Sequence, residues 1–587
     1  MSAHVSPADF AVDDGICVPG TCFTIHPRSA WHEKAEGGSA ARDPAFRGLY
    51  LSAALAEIPR LLGAVDRNPY RATYGCLDRQ YWHYRTSSFP SEMYQEGVLP
   101  LALVCATRLP ENRWYGNARV RELAVAGIRF AARASHADGS CDDYYPFERA
   151  LGAAVFSLQA TARAYQLLEM DDPDLVAWFR LRADWLIAHE ESGRLSNHQA
   201  LAALGLLRVA QITGSERYRD AAEARTERVL GWQSEEGWFE EYGGADPGYQ
   251  TVTIDCLAKI RRITADQRLD EPLRRAVDFT RLFLHPDHSY AGEYGSRGTY
   301  HFYPHGMELL AAQSGSAADL ADGFLKSLRT GTQAHFSDDR MFAHRPANLI
   351  EAYLDWSPVR PADPEETEPT RYLRGAGLLV RREGRRHTVI SAARGGVFKH
   401  FTPGRAPVTD AGLIVQTVDG RVAVSQWHDP ARHVDFRPAE SKQAPACLSV
   451  SGPLDWARFE TATPLKQALL HLGMCSVGRF LRTLVRRLLQ ERLITGRRAC
   501  PIRLTRAFEL LPGPESGDGP SLRVRDTIEL TSPKIRVRRM AFGTDHQAAY
   551  VAASGVYQPS VLAPWVDLAP YVDELNARRR VTVLREL

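Results

Sequence analysis

Between residues 94 and 303 the chain returns five times to an aromatic or polar cluster that precedes an apolar, helix-forming run. Tyr94 stands in Ser-Glu-Met-Tyr-Gln-Glu-Gly, Tyr145 in Asp142-Asp-Tyr-Tyr-Pro-Phe-Glu-Arg149, and Asn197 in Leu-Ser-Asn-His-Gln. Tyr249 follows in Asp-Pro-Gly-Tyr-Gln and Tyr303 in His-Phe-Tyr-Pro-His-Gly. The spacings are 51, 52, 52 and 54 residues, which is room for two helices and two loops, so each repeat reads as a helical hairpin stacked on its neighbours. The run Gln199-Ala-Leu-Ala-Ala-Leu-Gly-Leu-Leu-Arg-Val-Ala is apolar nearly all round, the mark of a helix buried on every side. Five or six such hairpins close into an (α/α) toroid whose loops open on one face; an open solenoid, with Tyr and Pro as helix caps only, is the alternative.

The remaining sequence divides around this array. Residues 1–44 are rich in Pro, Gly and Asp without a period and read as a leader; 45–357 carry the helical pattern. A Pro- and acid-rich linker covers 358–370, and 371–587 hold short alternating runs such as Gly377-Leu-Leu-Val-Arg-Arg, His387-Thr-Val-Ile-Ser-Ala and Leu522-Arg-Val-Arg-Asp-Thr-Ile-Glu-Leu. The expected fold is α+β multidomain: an N-terminal (α/α) toroid of helical hairpins followed by a C-terminal antiparallel β-sandwich. A helical segment, 464–493, interrupts the β pattern, and residues 471–500 contain seven Arg against one acid, Glu491. Such a segment suits an anionic membrane surface or an acidic polymer; alternatively it covers a sheet face with its Arg heads in water.

Composition narrows the function. A net charge of +2 over 587 residues argues against nucleic acid as the partner. The nine cysteines contain no Cys-x-x-Cys pair and read as free thiols of a reducing compartment. No basic n-region with an apolar run opens the chain, and no stretch is long enough to span a bilayer, so a soluble cytoplasmic protein, peripheral to the membrane through 464–493, is the expectation.

Amide, imidazole and phenol groups set before successive inner helices suit removal of the weakly acidic C5 proton of a uronic acid. That reaction needs the neighbouring carboxylate neutralised, a base for the proton, and an acid for the departing C4 oxygen. Asn197-His198, Tyr249 about one repeat later, and Arg394-Gly-Gly-Val-Phe-Lys-His400 in the β part resemble the heparinase II/III-like polysaccharide lyases. The resemblance implies Asn197 and His400 as carboxylate neutralisers, His198 as base, and Tyr249 as proton donor, or as both base and acid. Its substrate would be an acidic polysaccharide or oligosaccharide, without a cofactor. The family's His-x-His gives way here to His400-Phe401-Thr402, so no metal is expected from Asp410, His428 or His433.

Two further clusters read as substrate-binding: Tyr144, Tyr145, Glu148 and Arg149 on one wall, and Arg297, Tyr303 and His305 on the other. Plainer roles exist for each residue. Asn197 suits an N-cap, His198 a surface position, Tyr249 a turn aromatic, and His400 a core histidine. Three other functions share the scaffold. A C5-epimerase removes the same proton; an inverting glycoside hydrolase would pair Asp142 or Asp143 with Glu240, Glu241 or Asp246; and a non-catalytic scaffold of polysaccharide assembly would only bind.

Overall fold

The computed structural model describes residues 44–191, 193–334, 342–362, 368–441, 443–457, 462–490, 496–512, 521–545 and 558–587. The expected leader up to residue 43, the middle of the expected linker and residues 491–493 of the basic segment therefore lie outside the described residues. The protein is a mixed α+β protein of paired helices and antiparallel sheets.

The recurring runs become helices Val98–Ala106, Leu151–Leu167, Ser196–Thr213, Pro247–Thr264, Pro304–Ala311 and His344–Asp355. Each packs on the next, and His344–Asp355 returns to pack on Val98–Ala106. A second set, Gly48–Ala64, Ala118–Ala134, Pro173–Ala188, Glu216–Leu230, Asp270–Arg281 and Gly315–Thr330, packs on the first. Small residues allow the inner contacts: Ala200, Ala202, Ala203 and Gly205 of Ser196–Thr213 are buried, and Leu158 sits directly over Gly205. This helix stops at Gly214, whose left-handed backbone suits glycine at a helix end. Pro247–Thr264 starts where proline follows a capping Asp246, which accepts the Tyr249 N–H.

Five strands, Thr370–Leu373, Leu378–Glu383, Arg386–Ser391, Val397–Phe401 and Val408–Asp410, pair in chain order into one antiparallel sheet. A second sheet, of nine strands among the described residues, contains Leu413–Thr417, Ala446–Trp456, Ala499–Leu510 and Leu522–Leu530. One face of the first sheet, with Leu379, Ile390 and Phe398, shares an apolar core with Leu448, Val450, Phe508 and Val524 of the second. Its other face, with Leu378, Val380, Val389 and Val397, joins the helical core. Between the sheets, the fully buried Arg506 binds Asp526 at 2.5 Å and Asp410 at 3.0 Å, and Arg585 bridges the same two carboxylates at 2.8 and 2.7 Å. An arm leaves the second sheet after Trp456, forms helices Pro464–Cys475 and Arg482–Gln490, and returns as Ala499–Leu510. It touches the helical part, where His471 Nε2 lies 2.8 Å from Ser88 Oγ.

Candidate active site

The loops before Ser196–Thr213 and Pro247–Thr264 are stitched by isolated bridges Leu195↔Glu241 and Glu240↔Ala245, which carry Glu241 under the start of the first helix. Asn197 donates to Glu241 Oε1 from both its backbone N–H and its Nδ2, each at 2.8 Å. Both side chains are 1% exposed, and Asn197 Oδ1 and Glu241 Oε2 have no hydrogen-bond partner among the described residues. Burial pushes the Glu241 carboxyl up to about 8, against the pull of the Asn197 donors. At neutral pH Glu241 is therefore mostly a neutral acid with a proton to donate.

His198, next in the chain, turns its Nδ1 to Glu191 Oε2 at 2.6 Å. Burial disfavours the imidazolium, but Glu191 outweighs burial and raises the His198 pKa above its ordinary value. Burial likewise works against the Glu191 carboxylate, yet His198 and Arg486 together hold it down at about 2. Arg486 comes from the arm and pairs with Glu191 Oε1. The His198 ring fills the space beside Gly152, where a Cβ would stand 2.9 Å from Cε1, so any larger residue there would push the imidazole away.

Tyr249, half-buried in the first turn of Pro247–Thr264, packs its ring on His301 at 5.6 Å between centroids. Burial raises its phenol well above the ordinary value, opposed by the Arg297 guanidinium. Arg297 itself stacks 4.3 Å above the ring of Tyr242. Tyr242 holds a left-handed backbone with φ of 52°, a strained conformation for an aromatic residue that turns the loop between Glu241 and Asp246. From the β part, His428 reaches Gly244, where a Cβ would lie 2.6 Å from its Nε2.

The structure thus brings Asn197, His198, Tyr249 and Arg297 together and adds Glu191, Glu241, Tyr242, His428 and Arg486. Tyr145 and Glu148 lie in the field of the same Arg486, and burial followed by Asp143 pushes Glu148 up to about 7. Tyr144 is 51% exposed nearby, its N–H donating to Glu148 Oε2 at 2.7 Å. Arg149 pairs with Asp138 and lines a groove with Phe147, Arg479 and Phe480.

Three expected positions are corrected. His400 does not join this cluster: in Val397–Phe401 it shares the inter-sheet face with Phe398, opposite Lys399. There Thr388 Oγ1 lies 2.8 Å from its Nδ1, and Thr402 and Ser521 lie 3.0 and 3.1 Å from its Nε2. Burial lowers its pKa to about 4, so it is a neutral core histidine. His305 is fully buried between helices Pro304–Ala311, Pro247–Thr264 and His344–Asp355, 2.7 Å from Asp355 and 3.3 Å from Glu351, where Lys259 also binds Glu351. Tyr303 is also fully buried rather than on an open wall, edge-on to His344 at 4.8 Å and 5.6 Å from His301, on which Tyr249 packs.

No family model and no curated protein matches this sequence. Solved structures that resemble it include a Paenibacillus xanthan lyase (11% identity, TM-score 0.46, 87% of this chain) and the Pedobacter heparinus heparan sulfate lyase HepC (12%, 0.40, 86%). A Streptomyces coelicolor chondroitin AC lyase in complex with chondroitin sulphate is another (10%, 0.47, 86%). The chain spans about half the length of the xanthan lyase, 49%, and 72% and 69% of the other two.

Proposed function

We propose that this chain cleaves a uronic-acid-containing polysaccharide by β-elimination, on an (α/α) toroid formed by the closed helix ring and beside a β-sandwich formed by the two sheets. The observation that carries the reading is the Asn197–Glu241 pair, whose buried Oδ1 and Oε2 lack hydrogen-bond partners among the described residues and lie beside a histidine–carboxylate dyad and a tyrosine. A protonated Glu241 offers an O–H to a sugar carboxylate, and Arg297 adds positive charge, so the acidified C5 proton can be removed. His198 Nε2 takes that proton, the C5–H electrons form the C4=C5 double bond, and the C4–O bond breaks as the leaving oxygen takes the Tyr249 proton. Glu191, by holding Nδ1, makes His198 a stronger base than a free imidazole. Asn197 and Glu241 are so little exposed that substrate entry requires local opening around them.

Two of the carboxylates named for the hydrolytic alternative are engaged in loop architecture. Asp142 accepts from His136 and from the Phe147 and Arg149 N–H groups, and Asp246 from Tyr249, Arg297 and Thr299. The test is incubation with a panel of uronate polymers while following ultraviolet absorbance of a 4,5-unsaturated uronate. Absorbance growth supports elimination; reducing-end release without it means hydrolysis. Solvent deuterium at C5 without chain cleavage means epimerisation.

A further inference from the structure

We propose that the arm spanning 464–490 docks this protein on an anionic lipid surface. Leu465, Leu469, Leu472, Val477, Phe480, Leu481, Leu484 and Leu488 are each between 49 and 76% exposed. These eight fall within one short stretch, and their order is helical: Leu465, Leu469 and Leu472 run along one side of Pro464–Cys475, and Leu484 and Leu488 along one side of Arg482–Gln490, with Leu481 immediately before it. Only Met474 of the first helix is buried. Scattered exposed leucines are ordinary on a soluble surface, but two helical apolar lines with a phenylalanine between them are not.

Charge selects the occupant. Residues 462–490 contain Lys466, Arg479, Arg482, Arg486 and Arg487 and no Asp or Glu. An apolar partner protein has no need of so one-sided a charge, whereas phosphate headgroups above an acyl layer match both features at once. Arg479 lies 4.8 Å over the Phe480 ring, placing a cation at the polar end of an inserting aromatic. Arg486 points the other way, to Glu191, which together with the His471–Ser88 contact ties the arm's inner side to the helical part. Among the described residues no helix is long and apolar enough to cross a membrane, so the contact is peripheral.

The experiment is co-sedimentation of the full chain with phosphatidylcholine vesicles with and without phosphatidylglycerol, at low and high salt. The expected result is binding only to the anionic vesicles, weakened about tenfold or more by salt. The triple variant Phe480→Ser, Leu484→Ser, Leu488→Ser should lose binding, as should Arg479→Glu, with unfolding midpoints unchanged because these side chains are exposed. Failure of the intact chain to sediment with anionic vesicles at low salt overturns the proposal. So does retention of binding by the triple variant, which would leave charge alone at work. A concentration-dependent dimer in light scattering that the triple variant abolishes would assign the face to a second copy instead.

Discussion

Replacing Glu191 by Gln isolates the dyad on which the proposed base depends. The side chain keeps its shape and a hydrogen bond to His198 Nδ1, but the negative charge 2.6 Å from the imidazole is gone. A hydrogen bond to a charged group is worth about 1.5–3 kcal/mol, and at about 1.4 kcal/mol per pH unit this lowers the His198 pKa by about one to two units. Activity carried by His198 as base rises as pH climbs through that pKa. The ascending limb of kcat/KM should therefore move to lower pH by about one to two units, while the plateau rate falls because the base is weaker. Arg486 acts on His198 with the opposite sign, since its guanidinium draws on Glu191 and lowers the imidazole pKa. Arg486→Gln should move the same limb to higher pH. The assay is unsaturated-uronate absorbance across pH on any polymer the wild type turns over. Stability gives an independent readout. The raised His198 pKa stabilises the fold below the ordinary 6.5 and loses that contribution as pH rises through the folded value. The lowered Glu191 pKa contributes above the ordinary 4.5 and loses it as pH falls toward 2. The gap in unfolding midpoint between wild type and Glu191→Gln should thus be widest between 4.5 and 6.5. An unmoved kcat/KM limb in both variants would refute His198 as the titrating base.

Tyr249→Phe keeps the packing on His301 but removes the proton, so turnover should fall by about 10²–10⁴-fold with the melting midpoint unchanged; near-normal activity would remove Tyr249 from the reaction. Glu241→Gln keeps a donor that cannot ionise. The wild type should lose activity as pH passes about 8, where Glu241 becomes a carboxylate, and the variant should not; identical descending limbs would count against Glu241 as a donor. Arg506→Met leaves Asp526 and Asp410 short of a buried partner, and chemical denaturation should show a loss of about 3–5 kcal/mol, partly recovered by adding Asp526→Leu.

The helix array was legible because its signal is local. An inner helix must be apolar all round and must be fed by a loop of limited length, so its pitch is written in the spacing of Tyr94, Tyr145, Asn197, Tyr249 and Tyr303. The same regularity misassigned Tyr303 and His305. The Tyr-Pro-His-Gly cluster looks like the other loop clusters, but His305 already lies in the first turn of Pro304–Ala311, where its imidazole points toward Asp355 and Glu351 of a neighbouring helix. Glu191 and Arg486 carried no signal at all. Their pairing joins residues 295 apart, and the arm that supplies Arg486 reads in sequence only as a basic helix interrupting strands. Glu241 was visible as a carboxylate, but its neutral state comes from burial, which no local pattern records.

His400 shows why a strand is harder to read than a helix. On a helix, one residue of misplacement turns a side chain through about 100°; on a strand it sends the side chain to the opposite face. The pairing His387↔Phe401 and Thr388↔His400 fixes which face is which. Val397 packs in the helical core, Lys399 binds Glu293 at 3.2 Å, and Phe401 stacks on His285 at 4.6 Å. Phe398 and His400 therefore face the second sheet, where a charged imidazole would be costly and three hydroxyls hold a neutral one. The β part still sends a histidine toward the helical loops, but from the turn after Val422–Val424: His428, against Gly244 in the loop that also carries Glu241 and Tyr242. What the β part contributes to this site is thus set by a loop, whose reach the strand pattern does not encode.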